Sequence, residues 1–225
     1  MNRTREAIKG IKPLYQFYRF LRKSFMTSKE REAVFKRIFD RNYWGNSESV
    51  SGLGSTMNET EEIRKLIPGL IIKYNIQSLL DAPCGDFNWM KEVNLDGINY
   101  TGIDIVGDLI RKNQKQYSSK NIQFKKLDLV TDKIPKADLI LNRDCLVHMS
   151  FADIKKALSN MKQSGCKYLL TTSFVNKASN SDIDTGQWRP INLEIAPFEK
   201  LNIIERIDEK NQLDPGKHLL LIQLN

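Results

Sequence analysis

The chain has 225 residues, of which 40% are hydrophobic and 28% charged, and its formal net charge at pH 7 is +8. This composition is typical of a globular protein with a substantial core. No apolar run approaches the roughly 20 residues of a membrane span, and the basic, aromatic N-terminus lacks the apolar region of a signal peptide. Three widely spaced cysteines and two histidines favour a reducing cytoplasm and no metal site.

The positive charge is concentrated near the N-terminus. Residues 1–40 hold eleven Lys or Arg against four Asp or Glu, whereas residues 41–225 hold 24 against 23. The sequence therefore predicts a basic arm attached to a nearly neutral domain.

Within this arm, the stretch PLYQFYRFLRKSF begins with Pro13, which suits a first helical position. Apolar residues follow at helical spacing: Leu14, Tyr18, Leu21 and Phe25. Three interpretations stay open for residues 12–25. They contact an anionic membrane surface, bind RNA phosphates, or pack on their own domain or a second subunit.

A second helix is predicted in KEREAVFKRIFDRNYW, followed by the Gly/Ser-rich loop GNSESVSGLGST. A third helix, NETEEIRKLIPGLIIKYN, has Thr56 or Asn58 as candidate N-cap. We divide the chain here, into an arm with a Gly/Ser-rich segment (residues 1–57) and a domain (residues 58–225).

Strand and helix patterns alternate through the domain, which predicts a parallel sheet with helices on both faces. Helices are expected at Gly107–Tyr117 and Phe151–Lys162. Strands are expected at residues 78–82, 99–104, 121–126, 137–142 and 167–173.

The end of the chain breaks this alternation. LNIIERID and KHLLLIQL are both strand-like, and only Glu209 to Gly216 separate them. A parallel pair needs a crossover of a dozen residues or more, so these two strands should be antiparallel. The predicted fold is therefore a Rossmann-like, doubly wound α/β sheet of seven strands with the last strand inserted antiparallel, preceded by an N-terminal helical extension.

The first strand runs into an acidic loop, SLLDAPCGDFNWM. Gly85 lets the backbone approach a ligand closely, while Asp81 and Asp86 would repel a pyrophosphate. The loop also lacks the G-x-G-x-x-G of a dinucleotide site. Because ligands of doubly wound sheets bind beyond the carboxyl ends of the strands, we expect a nucleoside-like ligand with a cationic or zwitterionic part.

The next strands also end in acidic residues. Asp104 follows the second strand, where a carboxylate can accept hydrogen bonds from two ribose hydroxyls. Asp128 follows the third strand in KKLDLVTD and could accept from an adenine amine. The fourth strand ends LILNRDCLVHMS.

Together, LLDAPCGDF, YTGIDI, KKLDLVTD, LILNRDCLVHMS and the terminal strand pair resemble the class I S-adenosyl-L-methionine (SAM)-dependent methyltransferases over roughly residues 60–225. The resemblance implies that SAM is the cofactor. The family's cofactor contacts carry over to Asp81, Ala82 and Gly85 for the methionine part, Asp104 for the ribose, Ile105 beside the adenine, Asp128 with the adjacent Leu129 for the adenine amine, and Arg143 facing the cofactor.

The loop departs from the family's D-x-G-x-G-x-G pattern. Pro83 replaces the first glycine and Phe87 the last. Proline fixes φ and removes an amide donor, so we expect a local difference in loop geometry.

Two candidate catalytic residues follow the fourth strand. Methyl transfer depends mainly on positioning, but a hydroxyl acceptor is helped by a base that removes its proton. His148, with an ordinary pKa near 6.5, is the first candidate for this base. Asp144 is a competing base or orients His148. Alternatively, His148 is a structural histidine that packs an early helical turn.

Two further segments are candidate contacts. GNSESVSGLGST and the tryptophan before it are expected to fold over the cofactor as a lid, through Trp44, Ser51, Gly52 and Ser55. SDIDTGQWRP is expected to contact the substrate, or else it is an ordinary surface loop. Its aromatic and polar set suits a sugar: Asp182, Asp184, Trp188 and Arg189.

DAPCGDFNWM, WGNSESVSGLGST and TGQWRP also resemble a bacterial subset of small methyltransferases that accompany surface polysaccharide and lipopolysaccharide biosynthesis. We therefore predict an O-methyltransferase that acts on a sugar hydroxyl of a surface glycan or its precursor, in the cytoplasm or at the inner face of the membrane. The alternatives are an RNA or small-molecule methyltransferase and a non-catalytic SAM-binding subunit. NRDC in place of [DNS]-P-P-[YFW] argues against an enzyme that methylates amino groups of nucleic acids.

Overall fold

A computed structural model describes residues 25–211 and 213–225 of the chain. The predicted helix from Pro13 and almost all of the predicted membrane-contacting stretch 12–25 lie outside the described residues. Phe25, at the end of that stretch, is 74% exposed.

The described chain begins with a helix that precedes the sheet domain. Residues 25–211 and 213–225 contain four α-helices, α1 (Ser28–Asp40), α2 (Glu61–Lys73), α3 (Gly107–Tyr117) and α4 (Phe151–Gln163). The same described residues form seven strands, β1 (Ser78–Asp81), β2 (Asn99–Asp104), β3 (Ile122–Lys126), β4 (Leu139–Asn142), β5 (Tyr168–Phe174), β6 (Ile203–Asp208) and β7 (Lys217–Gln223).

The strands form one sheet in the order β3-β2-β1-β4-β5-β7-β6. Strands β1 to β5 pair in parallel, and β7 pairs antiparallel with both β5 and β6. The predicted fold class, including the antiparallel insertion of the last strand, is confirmed.

Successive side chains of a strand point to opposite faces of the sheet, so the two faces bury separate clusters. Leu80, Ile140 and Leu169 pack with α4 on one face. Leu79 and Leu170 pack with α2 and α3 on the other. These central strands are apolar on both sides because helices cover both faces.

The start of α2 differs from the prediction. Neither Thr56 nor Asn58 is its N-cap; Thr60 takes this position, without a capping hydrogen bond from its side chain. The Thr60 hydroxyl donates instead to the carbonyl of Thr56 at 2.7 Å. The extra turn formed by residues 56–60 therefore delays the helix by a few residues.

The sheet brings the carboxyl ends of its central strands to one edge. Asp81 at the end of β1 is in register with Gly102 of β2 and Leu141 of β4. Because β7 runs in the opposite direction, its first residue, Lys217, also reaches this edge, opposite Phe174 of β5. Within the described part of the chain, no helix has the length and apolar character needed to cross a bilayer.

Candidate active site

A cavity of about 380 Å³ opens at the carboxyl edge of the sheet. Its volume falls within the range of small-molecule sites. The loops after β1, β2, β3 and β4 form one side, and residues before α2 form the opposite wall. Most of the predicted site residues line it: Trp44, Ser51, Gly52, Ser55, Asp81, Ala82, Gly85, Asp104, Ile105, Leu129, Arg143, Asp144, His148 and Trp188.

At the β1–β2 end of the cavity, two carboxylates are buried. Desolvation raises the pKa of Asp81 to about 7, although the Tyr100 hydroxyl donates to its Oδ2 at 2.7 Å. Desolvation likewise raises the pKa of Asp104 to about 6, and the backbone N–H of Val106, which donates at 2.8 Å, only partly offsets it. A ligand that brings hydrogen-bond donors would compensate this desolvation.

The loop after β1 keeps a glycine-like backbone at Phe87, the second of the two positions where it departs from the family pattern. Phe87 has a φ of +60°, in the left-handed region that glycine favours. Its ring is buried, with its centroid 5.2 Å from that of Tyr100 and 5.1 Å from that of Phe124. Packing of the aromatic ring therefore supports a conformation that would otherwise be strained.

The Gly/Ser-rich segment, residues 44–57, lies against this loop, and we call it the lid segment. The Asp86 carboxylate accepts from the hydroxyl of Ser49 at 3.0 Å and the backbone N–H of Val50 at 2.9 Å. The backbone N–H of Asp86 donates to the Ser51 hydroxyl at 3.1 Å. A Cβ at Gly85 would lie only 2.3 Å from the same hydroxyl oxygen. Asp86 thus holds the lid segment in place.

Helix α1 completes the wall beside the lid segment through a buried arginine. Among its thirteen residues, all of them described, α1 fully buries one side chain, that of Arg31. The guanidinium pairs with Asp128 at 2.8 Å and with Asp153 at 3.1 Å. Phe35 and Phe39, further along α1, line the cavity.

This pairing changes the interpretation of Asp128. Burial tends to raise its pKa, but the hydrogen bond and the charge of Arg31 outweigh burial and lower it. Arg31 engages both oxygens of this carboxylate, and Asp128 does not line the cavity. The predicted adenine end is instead apolar, formed by the two phenylalanines of α1 with Leu109, Leu127 and Leu129.

His148 lines the cavity after β4, which β1 separates from β2 in the sheet; because the sequence predicts the substrate here, we call this part the acceptor end. Its Nδ1 is 3.1 Å from the carbonyl oxygen of Gln187. Because a carbonyl only accepts, we assign the proton of the neutral ring to Nδ1, which leaves the lone pair on Nε2. The Trp44 ring packs on the imidazole at a centroid distance of 4.7 Å. Burial lowers the pKa of His148, so the ring is neutral at pH 7.

Two cations engage Asp144, which makes it less suited than His148 to act as a base. Its Oδ2 is 2.7 Å from Lys217 Nζ and 3.2 Å from Arg143 NH1. Burial tends to raise the pKa of Asp144, but Lys217 and Arg143 outweigh burial and hold it at about 2. A carboxylate with so low a pKa is a weak proton acceptor at neutral pH.

Lys217 is a residue that the sequence analysis missed. Its side chain is only 2% exposed and contacts a carboxylate 73 residues earlier in the chain. One signal was present: KHLLLIQL opens with a charged residue before a buried strand. Since that strand was predicted to be antiparallel, its first residue should have been placed at the carboxyl edge.

The segment after β5 divides into two parts. Trp188 lines the cavity and is 50% exposed, whereas Asp182, Asp184 and Arg189 do not line it. Arg189 is buried and donates to the carbonyls of Leu146 at 2.9 Å and Met149 at 2.7 Å.

These bonds hold the short 3-10 turn Leu146–His148 from both ends. The Asp182 carboxylate accepts from the N–H of Phe151, the first residue of α4, at 2.8 Å. Arg189 and Asp182 therefore support the turn that carries His148 and the helix that follows it.

Arg143 lies at the cavity wall, but its donors have protein partners. It pairs with Glu209 at 2.7 Å and donates to the carbonyl of Gly54, in the lid segment, at 2.6 Å. Across residues 25–211 and 213–225, no group of three or more His, Cys, Asp or Glu side chains has an arrangement that could hold a metal ion.

No protein-family model matches the sequence, and no curated protein shows significant similarity to it. Solved structures do resemble its fold. The N-methyltransferase NodS from Bradyrhizobium japonicum WM9, in complex with S-adenosyl-L-homocysteine (SAH), has a TM-score of 0.60 and 16% identity; the match covers 84% of this chain and 97% of NodS.

Magnesium protoporphyrin IX methyltransferase (ChlM) from Synechocystis PCC 6803, with bound SAM, has a TM-score of 0.53 at 11% identity, over 86% of this chain and 97% of ChlM. The [4+2]-cyclase SpnF has a TM-score of 0.60 at 14% identity, over 88% of this chain and 96% of SpnF. A cyclase among the neighbours shows that this fold does not specify the reaction. The chain has the seven-stranded Rossmann-like fold of the SAM-dependent methyltransferases.

Proposed function

We propose that the protein binds SAM and methylates a hydroxyl group of an acceptor, with His148 as the general base. The observation that carries this proposal is that one cavity joins two sets of residues. The buried carboxylates of Asp81 and Asp104 lie at one end, and a histidine whose Nδ1 faces a carbonyl, which leaves the lone pair on Nε2, lies at the other.

The residues at the β1–β2 end fit the chemistry of SAM. Asp104, ionised above pH 6, is suited to accept hydrogen bonds from the two ribose hydroxyls. The carboxylate of Asp81 suits the amino group, and the apolar wall that includes Phe35 and Leu129 suits the adenine ring. When bound, SAM supplies an electrophilic methyl group on a sulfonium.

At the acceptor end, the protein's contribution is to orient an acceptor hydroxyl and to take up its proton. The proton passes to Nε2 of His148, and the Gln187 carbonyl keeps Nδ1–H directed away from the acceptor. The negative charge of Asp144 favours the imidazolium that forms. Packing of the Trp44 ring limits rotation of the imidazole and covers it from water.

We propose a sugar hydroxyl of a surface glycan or its precursor as the acceptor. Trp188 supports this, because it is half-exposed at the cavity and its ring can stack on the apolar face of a sugar. Charge argues against RNA, since three carboxylates line the acceptor end (Glu59, Asp144 and Asp214) against two cations (Arg143 and Lys217).

We further propose that the enzyme acts in the cytoplasm, with residues 12–25 on the inner face of the membrane. The support is the basic and aromatic sequence of the arm and the exposure of Phe25. Cosedimentation with phosphatidylglycerol vesicles and with neutral phosphatidylcholine vesicles tests this. Salt-sensitive binding to the anionic vesicles is expected, and equal or absent binding would contradict it.

Calorimetry with SAM and SAH tests the cofactor. Wild type should bind both, and Asp104→Ala should lose binding because the ribose hydroxyls lose their acceptor. Asp96→Ala, which removes an exposed carboxylate on the β1–β2 connection, is the matched control and should bind as wild type does. Absence of binding to wild type, or equal binding to Asp104→Ala, would refute this assignment.

Transfer of a labelled methyl group from SAM tests the reaction. Sugar and glycan acceptors should become labelled, and His148→Gln should lower kcat by about 10²–10⁴-fold while SAH binding is retained. Label on RNA or on a small molecule without a sugar would replace the glycan proposal. SAM binding without turnover on any acceptor would favour a non-catalytic subunit.

A further inference from the structure

The acceptor end holds two groups that could take a proton, Asp144 and His148, and both line the same cavity. The residues around Asp144 distinguish them. Its carboxylate sits in a cluster of four charged side chains, the other three of which are almost completely buried.

The cluster is balanced in charge. Lys217 Nζ lies 2.7 Å from Asp144 Oδ2 and 3.6 Å from Glu209 Oε2. Arg143 pairs with the same two carboxylates, at 3.2 Å and 2.7 Å. Two cations and two anions therefore form a neutral group.

The Asp144 backbone is fixed as firmly as its side chain. Its N–H donates to the hydroxyl of Thr172 on β5 at 2.9 Å, and its φ of +51° lies in the left-handed region. A Cβ at Gly54 of the lid segment would lie 2.9 Å from Asp144 Oδ2. The carboxylate therefore has little room to turn from the cluster toward an acceptor.

We propose that Lys217 is a positioning residue that assigns the role of base to His148, because its ammonium engages the Asp144 carboxylate and balances that charge beside the imidazole. Lys217 affects the reaction through Asp144 and neither donates nor accepts the proton that is transferred. The inference rests on the proposed function, in which His148 accepts the proton of a hydroxyl.

Electrostatics predicts in which direction the midpoint of the His148 titration moves when Lys217 is removed. With Lys217 in place, the cluster near His148 is neutral; without it, Arg143 faces two carboxylates, and the excess negative charge favours the imidazolium. The other charged side chains around these residues are not substituted in any of the variants below. They are Arg143, Glu209, Glu59 and Asp214 around Asp144, and Arg189 near His148.

The chain contains only two histidines, His148 and His218, so proton NMR can follow each imidazole. A His218→Gln variant assigns the two signals. We expect Lys217→Met to raise the midpoint of the His148 titration, Asp144→Asn to lower it, and Lys217→Arg, which keeps the charge, to leave it near the wild-type value. Lys167→Met removes an exposed lysine whose partner is Asp138, and it should move neither signal.

An unchanged or lowered midpoint in folded Lys217→Met would overturn the proposal. If Lys217→Met does not fold, Asp144→Asn decides by the same titration, and a midpoint that fails to fall would overturn it. The titration needs neither SAM nor an acceptor, so this inference can fail while SAM binding and turnover stand, and the reverse also holds.

Once an acceptor is known, the acid limb of kcat should move to higher pH in Lys217→Met, parallel to the titration, and Lys217→Arg should restore it. A purely structural role would lower kcat at all pH values without moving the limb, and that result would also overturn the proposal.

Discussion

The two ends of the cavity treat buried charge in opposite ways. At the β1–β2 end, Asp81 and Asp104 have raised pKa values and no ion-pair partner among the residues that the structure describes. At the acceptor end, the buried Glu209 and the partly buried Asp144 are neutralised by Arg143 and Lys217. The first end is suited to a ligand that brings hydrogen-bond donors, whereas the charges of the second end are already paired within the protein.

The comparison predicts its largest effect at the acceptor end. Arg143→Met should lower the free energy of unfolding by about 3–5 kcal/mol, because it leaves the buried Glu209 carboxylate without its closest partner. Chemical denaturation measures this. Arg206→Met, which breaks a pair whose arginine is 53% exposed, is the matched control and should cost about 0–1 kcal/mol. Equal losses in both variants would contradict the comparison.

At the β1–β2 end, by contrast, removal of a charge is expected to raise the free energy of unfolding. Asp104→Asn should stabilise the ligand-free protein by about 1–3 kcal/mol at pH 8, since it removes a desolvated charge that has no counter-ion. The same change should abolish or greatly weaken SAH binding. Asp96→Asn is the control and should change neither quantity. A destabilised Asp104→Asn protein would show that the charge is compensated after all.

The pH dependence of this stabilisation follows from the pKa of Asp104. An unfolded Asp ionises near pH 3.9, and folded Asp104 ionises at about 6. Between these values the folded state holds a proton that the unfolded state has lost, so wild-type stability falls as the pH rises from about 4 to 6. The gain in the free energy of unfolding that Asp104→Asn gives over wild type should therefore be absent at pH 4 and reach its full size above pH 6.

The ionisation of Asp104 should also affect the affinity for SAH, but this affinity should rise with pH whereas the stability falls. Ribose hydroxyls donate to the ionised carboxylate of Asp104, so its protonation alone should weaken SAH affinity about tenfold between pH 7 and pH 5. Protonation of Asp81, whose pKa is about 7, should add to this loss. Calorimetry across this range, in buffers of different ionisation enthalpy, would also show the proton released on binding. An affinity that does not change with pH would exclude Asp104 as the acceptor of these hydrogen bonds.

The smallest effect is expected at the lid segment. Asp86→Asn weakens the bonds to Ser49 and Val50, and it should cost about 1 kcal/mol of global stability. Its local effect should be clearer, because thermolysin should cut before Val50 or Leu53 faster than in wild type. Asp96→Asn should leave the cutting rate unchanged, and equal rates in Asp86→Asn and wild type would show that Asp86 does not hold the lid segment.

Local patterns were enough to predict the sheet and much of one end of the cavity. Asp81 and Asp104 are the last residues of buried strands, and parallel strands place such residues at a common edge. The interpretation was less complete for side chains whose partners are distant in sequence. Arg31 engages Asp128, and Lys217 engages Asp144, and neither pair has a signature in a sequence read without homologues.

Arg189 shows the same limit in another form. An arginine beside a tryptophan suggested a substrate contact, but its guanidinium is directed to the carbonyls of the turn before α4. The hydrogen-bond partners of Arg189 depend on how the segment after β5 folds back, and no local sequence pattern predicts this. Phe87 shows the converse, because the aromatic cluster compensates for a missing glycine.

Arg31 also has a consequence for the order in which the chain is assembled during synthesis. Its two carboxylate partners lie 97 and 122 residues further along the chain. Helix α1 therefore leaves the ribosome long before Asp128 and Asp153 exist, and its guanidinium can be buried only after α4 has begun to form. This part of the cavity wall is thus synthesised before any strand of the sheet, but it can dock only after the first residues of α4 have been made.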